Sequence, residues 1–118
     1  MRKIEIDMNA AILQRRNWIC RNTEVRMRLS PQEGFEILLH GNRIIWTEKE
    51  VIYASTAGFS TLTTRSRINA FCRRFCPETS LYNRENVTYL VSQIDMPGLP
   101  KGTARSVGSD ESFKIGVM

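Results

Sequence analysis

Between residues 23 and 55, hydrophobic and polar positions alternate in short bursts separated by turn residues, which predicts a series of antiparallel strands. In "TEVRMRLS", Val25, Met27 and Leu29 face one way and Glu24, Arg26 and Arg28 the other, a strand with one solvated side. "PQEG" predicts a turn by its Pro and Gly. Phe35 to His40 follows as a strand, and Gly41-Asn42 as a two-residue hairpin turn, because both residues tolerate positive φ. Arg43 to Thr47 and Val51 to Ser55 continue the series across a "TEKE" reversal. Upstream, Ile4 and Ile6 alternate with charge and predict a strand over Lys3 to Asp7. Ala11, Ile12 and Leu13 then suggest a short helix closing near Asn17, with Trp18 and Ile19 returning the chain to the core.

After "STAGFSTLT", too rich in small and hydroxyl residues to be regular, the period changes. Ile68, Phe71, Cys72 and Phe75 stand at i, i+3, i+4 and i+7, the inner stripe of a helix from about Thr64 to Cys76 that Pro77 ends. Burying Phe71 and Phe75 would contribute on the order of 3–6 kcal/mol. "SLYNRENVTYLVSQI" predicts two strands around an Asn83–Asn86 turn, with Val87, Tyr89 and Val91 opposite Thr88, Leu90 and Ser92. From Met96 the chain carries Gly, Pro and Ser without a period, which predicts a flexible tail, with "SFKIGVM" as its one segment able to dock. The expected organisation is a compact domain over 1–94 and a tail over 95–118. The expected fold class is α+β: a mainly antiparallel twisted sheet of five to six strands, one long helix packed on one face, and a short N-terminal helix.

With 118 residues, 42% of them hydrophobic, the chain can bury a core without disulfide staples. No apolar run is long enough to cross a membrane, and the charged N-terminus lacks a signal peptide's apolar run, so a cytoplasmic location is expected. Three cysteines in such a chain point to free thiols. Cys72 and Cys76 could offer two ligands on one helix face, but Cys20 and His40 add no ligand pair of standard spacing, so no metal or other cofactor is expected. Nor is catalysis. His40 stands alone before a hairpin glycine, Cys72 falls on the buried stripe, and no phosphate-binding glycine pattern is present.

Charge changes the picture at one place. The chain carries 17 Lys+Arg against 12 Asp+Glu, a net +5, and residues 95–118 hold three of each, so the excess belongs to the first 94 residues (14 against 9). "TTRSRINAFCRRFC" packs four arginines and no acid into fourteen residues. With Thr63 or Thr64 as N-cap, Arg65 and Arg67 sit where the helix dipole disfavours cations. An anion held by Thr63, Thr64, Arg65 and Arg67 would compensate, with Arg73 and Arg74 extending the basic surface and Phe59 offering a ring for base stacking. Arg21, Arg26 and Arg28 form a second possible basic region. The plainer alternative is a solvated face whose arginines pair with Glu36, Glu78 or Glu85. Tyr53, Tyr82 and Tyr89 fall at strand positions where burial is the default.

Three segments carry a resemblance: "NTEV" at Asn22 to Val25, "LHGNRI" at Leu39 to Ile44, and "GFSTLTTRSRINA" at Gly58 to Ala70. In this order they resemble a group of small phage and prophage proteins with the pattern NTEV, LHGN-x-I, GW-x-T-x-TT-x-SRLNA and a terminal strand. The similarity spans about residues 17–93. Phe59 stands where the pattern has Trp and Ile68 where it has Leu. The resemblance implies a viral or prophage origin, hence host cytoplasm, and a compact α+β fold; it brings no established activity and no catalytic residues. Two functions remain open on the sequence. One is a non-enzymatic accessory protein that binds nucleic-acid phosphates through the arginine-rich helix. The other is a host-takeover or anti-defence protein that uses the same arginines on an acidic host protein. No membrane partner is expected, and a homodimer through an uncovered edge of the Val51–Ser55 strand or the last strand is allowed.

Overall fold

Where alternation predicts a strand, the chain opens with a helix. α1 covers Lys3–Leu13 and buries Glu5, Met8, Asn9 and Ile12, a helical spacing headed by a charged residue, while Ile6 is 54% exposed. The Ile4/Ile6 alternation misleads because the inner stripe contains Glu5 and Asn9, which an apolar count passes over. The computed structural model describes residues 2–28, 34–59 and 61–118. Leu29 and most of the "PQEG" turn therefore lie outside the described residues.

Next come β1 (Trp18–Cys20), β2 (Thr23–Met27), β3 (Phe35–Leu39), β4 (Asn42–Glu48) and β5 (Val51–Ala54), joined as successive antiparallel neighbours. The hairpin between β3 and β4 turns on His40 and Gly41, at φ 51° and 78°, with Leu39 opposite Asn42. The turn thus lies one residue earlier than Gly41-Asn42, since a two-residue turn of this hand needs positive φ at both central positions. Lys49-Glu50 serves the same role between β4 and β5. Trp18 packs on the core, but Ile19 is 69% exposed and anchors nothing.

α2 spans Leu62–Phe75, and Ile68, Phe71 and Cys72 are buried on its inner face, as the period predicts. β6 (Thr79–Arg84) and β7 (Val87–Ser92) form the expected hairpin, turning on Glu85-Asn86. They do not join the first sheet. With β8 (Ala104–Val107) they make a separate three-stranded sheet. Asn69 of α2 satisfies the outer edge of β6, accepting from Leu81 N–H at 2.8 Å and donating to Leu81 C=O at 2.9 Å.

The expected tail departs most from the observed chain. β9 (Phe113–Val117) pairs with β5 and completes a six-stranded sheet ordered β1-β2-β3-β4-β5-β9. Phe113 and Ile115 are buried in the common core with Met8, Val25, Ile37, Ile45, Ile68 and Phe71. The docking segment "SFKIGVM" is thus a core strand. Its partners lie some sixty residues upstream, so no local period announces it. Gly116 is required by contact: a Cβ there would stand 2.6 Å from Cys76 Sγ. The edges considered for self-pairing are covered, β5 by β9 and β7 by β8.

The architecture is α+β: among the described residues, two antiparallel sheets and two helices surround one core. On the other face of the large sheet, Arg43 lies 4.1 Å over Trp46, which stacks on Tyr53 at 6.1 Å.

Candidate functional site

The arginine-rich stretch is divided among three environments. Arg67 points inward and is 4% exposed. Its guanidinium donates to Glu5 Oε2 at 2.8 Å and to Thr23 Oγ1 at 3.0 Å. Glu5 also accepts from the Ser66 hydroxyl and, at 3.3 Å, from the Arg2 N–H at the start of α1. Burial pushes the Glu5 carboxyl up, but hydrogen bonds from Ser66, Arg67 and the Arg2 backbone, with the Arg67 charge, bring it below its ordinary value. Arg67, in the first half of α2, therefore has its counter-charge within the protein. Arg67 takes no part in an anion site, and the sequence missed Glu5 because its region reads as a strand.

The N-cap is Thr61, not Thr63 or Thr64: its hydroxyl accepts from Thr64 N–H at 3.2 Å and pairs with the Thr64 hydroxyl at 2.9 Å. This end of the helix opens on a cavity of about 380 Å³. The β3–β4 hairpin supplies Leu39, His40, Asn42 and Ile44 to its wall, and the following loop Thr56, Ala57 and Phe59. Thr61, Thr63 and Thr64 close it. No Arg or Lys is among these residues. Thr63, Thr64 and Phe59 are thus brought together, and the four arginines of the stretch are not with them. Segments of the second and third motifs meet here, although they are far apart in sequence.

Arg65, Arg73 and Arg74 lie on the α1–α2 side. The helices run parallel, as Glu5 meets Ser66 and Asn9 donates to Ala70 C=O at 3.0 Å. Ile6, Asn9, Ala10 and Leu13 line a groove between them, with Arg73 and Arg74 on its α2 side. Arg73 is shared with an adjoining depression that includes Arg2, Leu62 and Arg65. Leu13 is 59% and Leu62 68% exposed, so this face mixes cations with aliphatic surface. Among the described residues its one lining acid is Glu5, already engaged by Arg67. Ile6, Leu13 and Arg2 were missed as site residues because Lys3–Asp7 reads as a strand and not as the first part of α1.

The second basic region is dispersed. Arg26 pairs with Glu24 at 2.8 Å, Arg28 donates to Thr47 C=O at 2.7 Å, and Arg21 stands exposed in the β1–β2 turn. Of the aromatic residues, Phe59 is 57% exposed, and Tyr82, expected in the core, is 43% exposed and stacks on Tyr89 at 5.2 Å.

The three cysteines are free thiols. Among the described residues, no three His, Cys, Asp or Glu side chains are grouped to hold a metal. Burial pushes the Cys72 thiol far up, aided by Cys76, and burial with the Glu78 charge takes Cys76 up to about 11. Iodoacetamide at pH 8 is therefore expected to alkylate half-buried Cys20 alone in the native protein and all three cysteines in urea, read by intact mass. Two or more adducts on the native protein would contradict this packing.

Among the described residues, no helix is long and apolar enough to cross a membrane. No curated protein and no solved structure matches the chain. A family model does: that of the Kyanoviridae Gp96 protein matches residues 1–106, nearly the whole core and both candidate surfaces. The chain belongs to the Kyanoviridae Gp96 protein family, a family of phage proteins.

Proposed function

We propose that this phage protein is a non-enzymatic accessory factor acting in the host cytoplasm, where it docks on an acidic host protein through the α1–α2 face and modulates it. One observation carries the reading: Ile6 and Leu13, more than half exposed, lie in the same groove as Arg73 and Arg74. A phosphate backbone calls for cations, and a single strand adds stacking rings, but neither calls for an aliphatic floor. The ring nominated for stacking, Phe59, belongs to the cavity at the other end of α2. A protein segment with aliphatic side chains flanked by carboxylates satisfies both components of the groove.

The test compares wild type with Arg73→Glu/Arg74→Glu and with Ile6→Ser/Leu13→Ser, each immobilised and exposed to host lysate with and without nuclease treatment. Ile6 and Leu13 are more than half exposed. Arg73 and Arg74 stand in the last turn of α2, where the helix dipole favours cations, and Arg74 lies 5.3 Å over the Phe75 ring. Each substitution should therefore cost about 1 kcal/mol or less, which circular dichroism and urea titration check. A stoichiometric partner is expected on the wild type, with retention reduced more than about tenfold by both double substitutions. Retention that disappears with nuclease and ignores Ile6→Ser/Leu13→Ser would replace this reading with nucleic-acid binding. Salt-sensitive binding of labelled DNA or RNA, lost in Arg73→Glu/Arg74→Glu, would do the same.

A further inference from the structure

The cavity at the start of α2 has no part in the docking face, and its chemistry is different. We infer that it is a binding site for a small, uncharged, ring-containing molecule. Its volume of about 380 Å³ falls within the range of small-molecule sites. Leu39 and Ile44, both buried, make an aliphatic floor continuous with the core. Phe59 holds an exposed ring beside it. Among the described residues no Lys, Arg, Asp or Glu lines it, so a charged ligand would find no counter-charge from them beyond the weak field of the helix end. Thr63 and His40, both among the lining residues, carry a hydroxyl and an imidazole, groups suited to one carbonyl or hydroxyl on the ligand.

The wall is also preformed. Thr56 Oγ1 and Gly58 N–H both donate to Ser109 C=O, at 2.9 and 2.6 Å, tying the loop to the β8–β9 connection. Phe59 N–H donates to Thr56 C=O, and Thr61 N–H to Phe59 C=O. Ala57 takes φ 54°, an unfavourable conformation for a residue with a Cβ. A loop held in a strained shape around an apolar space avoids the collapse that would otherwise recover contact energy. Binding to such a site needs little reorganisation of the protein.

The test is a protein-observed NMR titration with benzamide, an uncharged ring bearing a carbonyl, alongside benzoate and benzylamine. Benzamide is expected to saturate, with shifts confined to the amides of Leu39, Ala57, Phe59 and Thr63, and the two charged analogues to bind more weakly. Thr63→Trp, which fills the cavity, should weaken benzamide by at least about tenfold. Phe59→Ala, at an exposed position that folding does not depend on, should weaken it about two- to tenfold. Diffuse shifts, unchanged affinity in Phe59→Ala, or benzoate binding as tightly as benzamide would overturn the proposal. Arg73→Glu/Arg74→Glu is expected to leave benzamide affinity unchanged, so this site and the docking face stand or fall separately.

Discussion

Arg67→Ala is expected to destabilise the protein by about 3–5 kcal/mol, because it leaves the Glu5 carboxylate buried without its partner. The guanidinium is 4% exposed and reaches Glu5, Thr23 and Asn22, so the loss reaches α1, α2 and β2 together. Urea denaturation measures it, and Glu5→Leu/Arg67→Met supplies the control. Removing both charges with side chains of similar volume should recover most of the stability. If Arg67→Ala costs less than about 1 kcal/mol, the range of an exposed ion pair, the buried network is not as described. The pH dependence has a definite sign. Since the folded carboxyl titrates below its ordinary 4.5, its contribution is full above that value and is lost as pH falls through the lower folded value. Wild type should therefore weaken in acid below about pH 4.5, and the Leu/Met double variant should weaken less.

Phe113→Asp is expected to abolish folding under conditions where the wild type is stable. Phe113 is 2% exposed, opposite Ala54 and inside the common core, and a carboxylate there has no cation to meet it. Phe113→Leu, which keeps most of the apolar volume, should cost less than about 1.5 kcal/mol. Circular dichroism with urea titration separates the two outcomes. A folded Phe113→Asp protein with an unchanged urea midpoint would return residues 95–118 to the role of a dispensable tail.

What the sequence disclosed follows from where each signal is carried. The β2 to β5 series and the α2 stripe are local: alternation over five residues, or apolar positions at i, i+3 and i+4, reports burial without knowledge of the partner. The short N-terminal helix is expected, but the Lys3–Asp7 part of α1 reads as a strand because Glu5 and Asn9 occupy its inner face, and their burial makes sense only beside Ser66, Arg67 and Ala70. β8, between Gly102 and Gly108, and β9, which contains Gly116, look like loop until β7 and β5 are placed against them. The candidate site was legible as residues and not as a place. Thr63, Thr64 and Phe59 do converge, on a neutral cavity. Arg65, Arg73 and Arg74 line the other side of α2, and Arg67 is an internal counter-ion. Four arginines in one stretch carry no sign of which way each will point. For Arg67 that is decided by Glu5, 62 residues earlier.

The pairing of β9 with β5 also sets an order of events during synthesis. Ribosomes add roughly 5–20 residues per second, so β5 emerges seconds before the strand that covers it. In that interval its N–H and C=O groups can template a second nascent chain on the same message. The loop that walls the cavity waits as well, since the carbonyl it hangs from belongs to Ser109. A nascent chain halted before residue 109 would lack both this anchor and β9, so neither the cavity nor the common core beneath α1 and α2 is complete until the last residues are made.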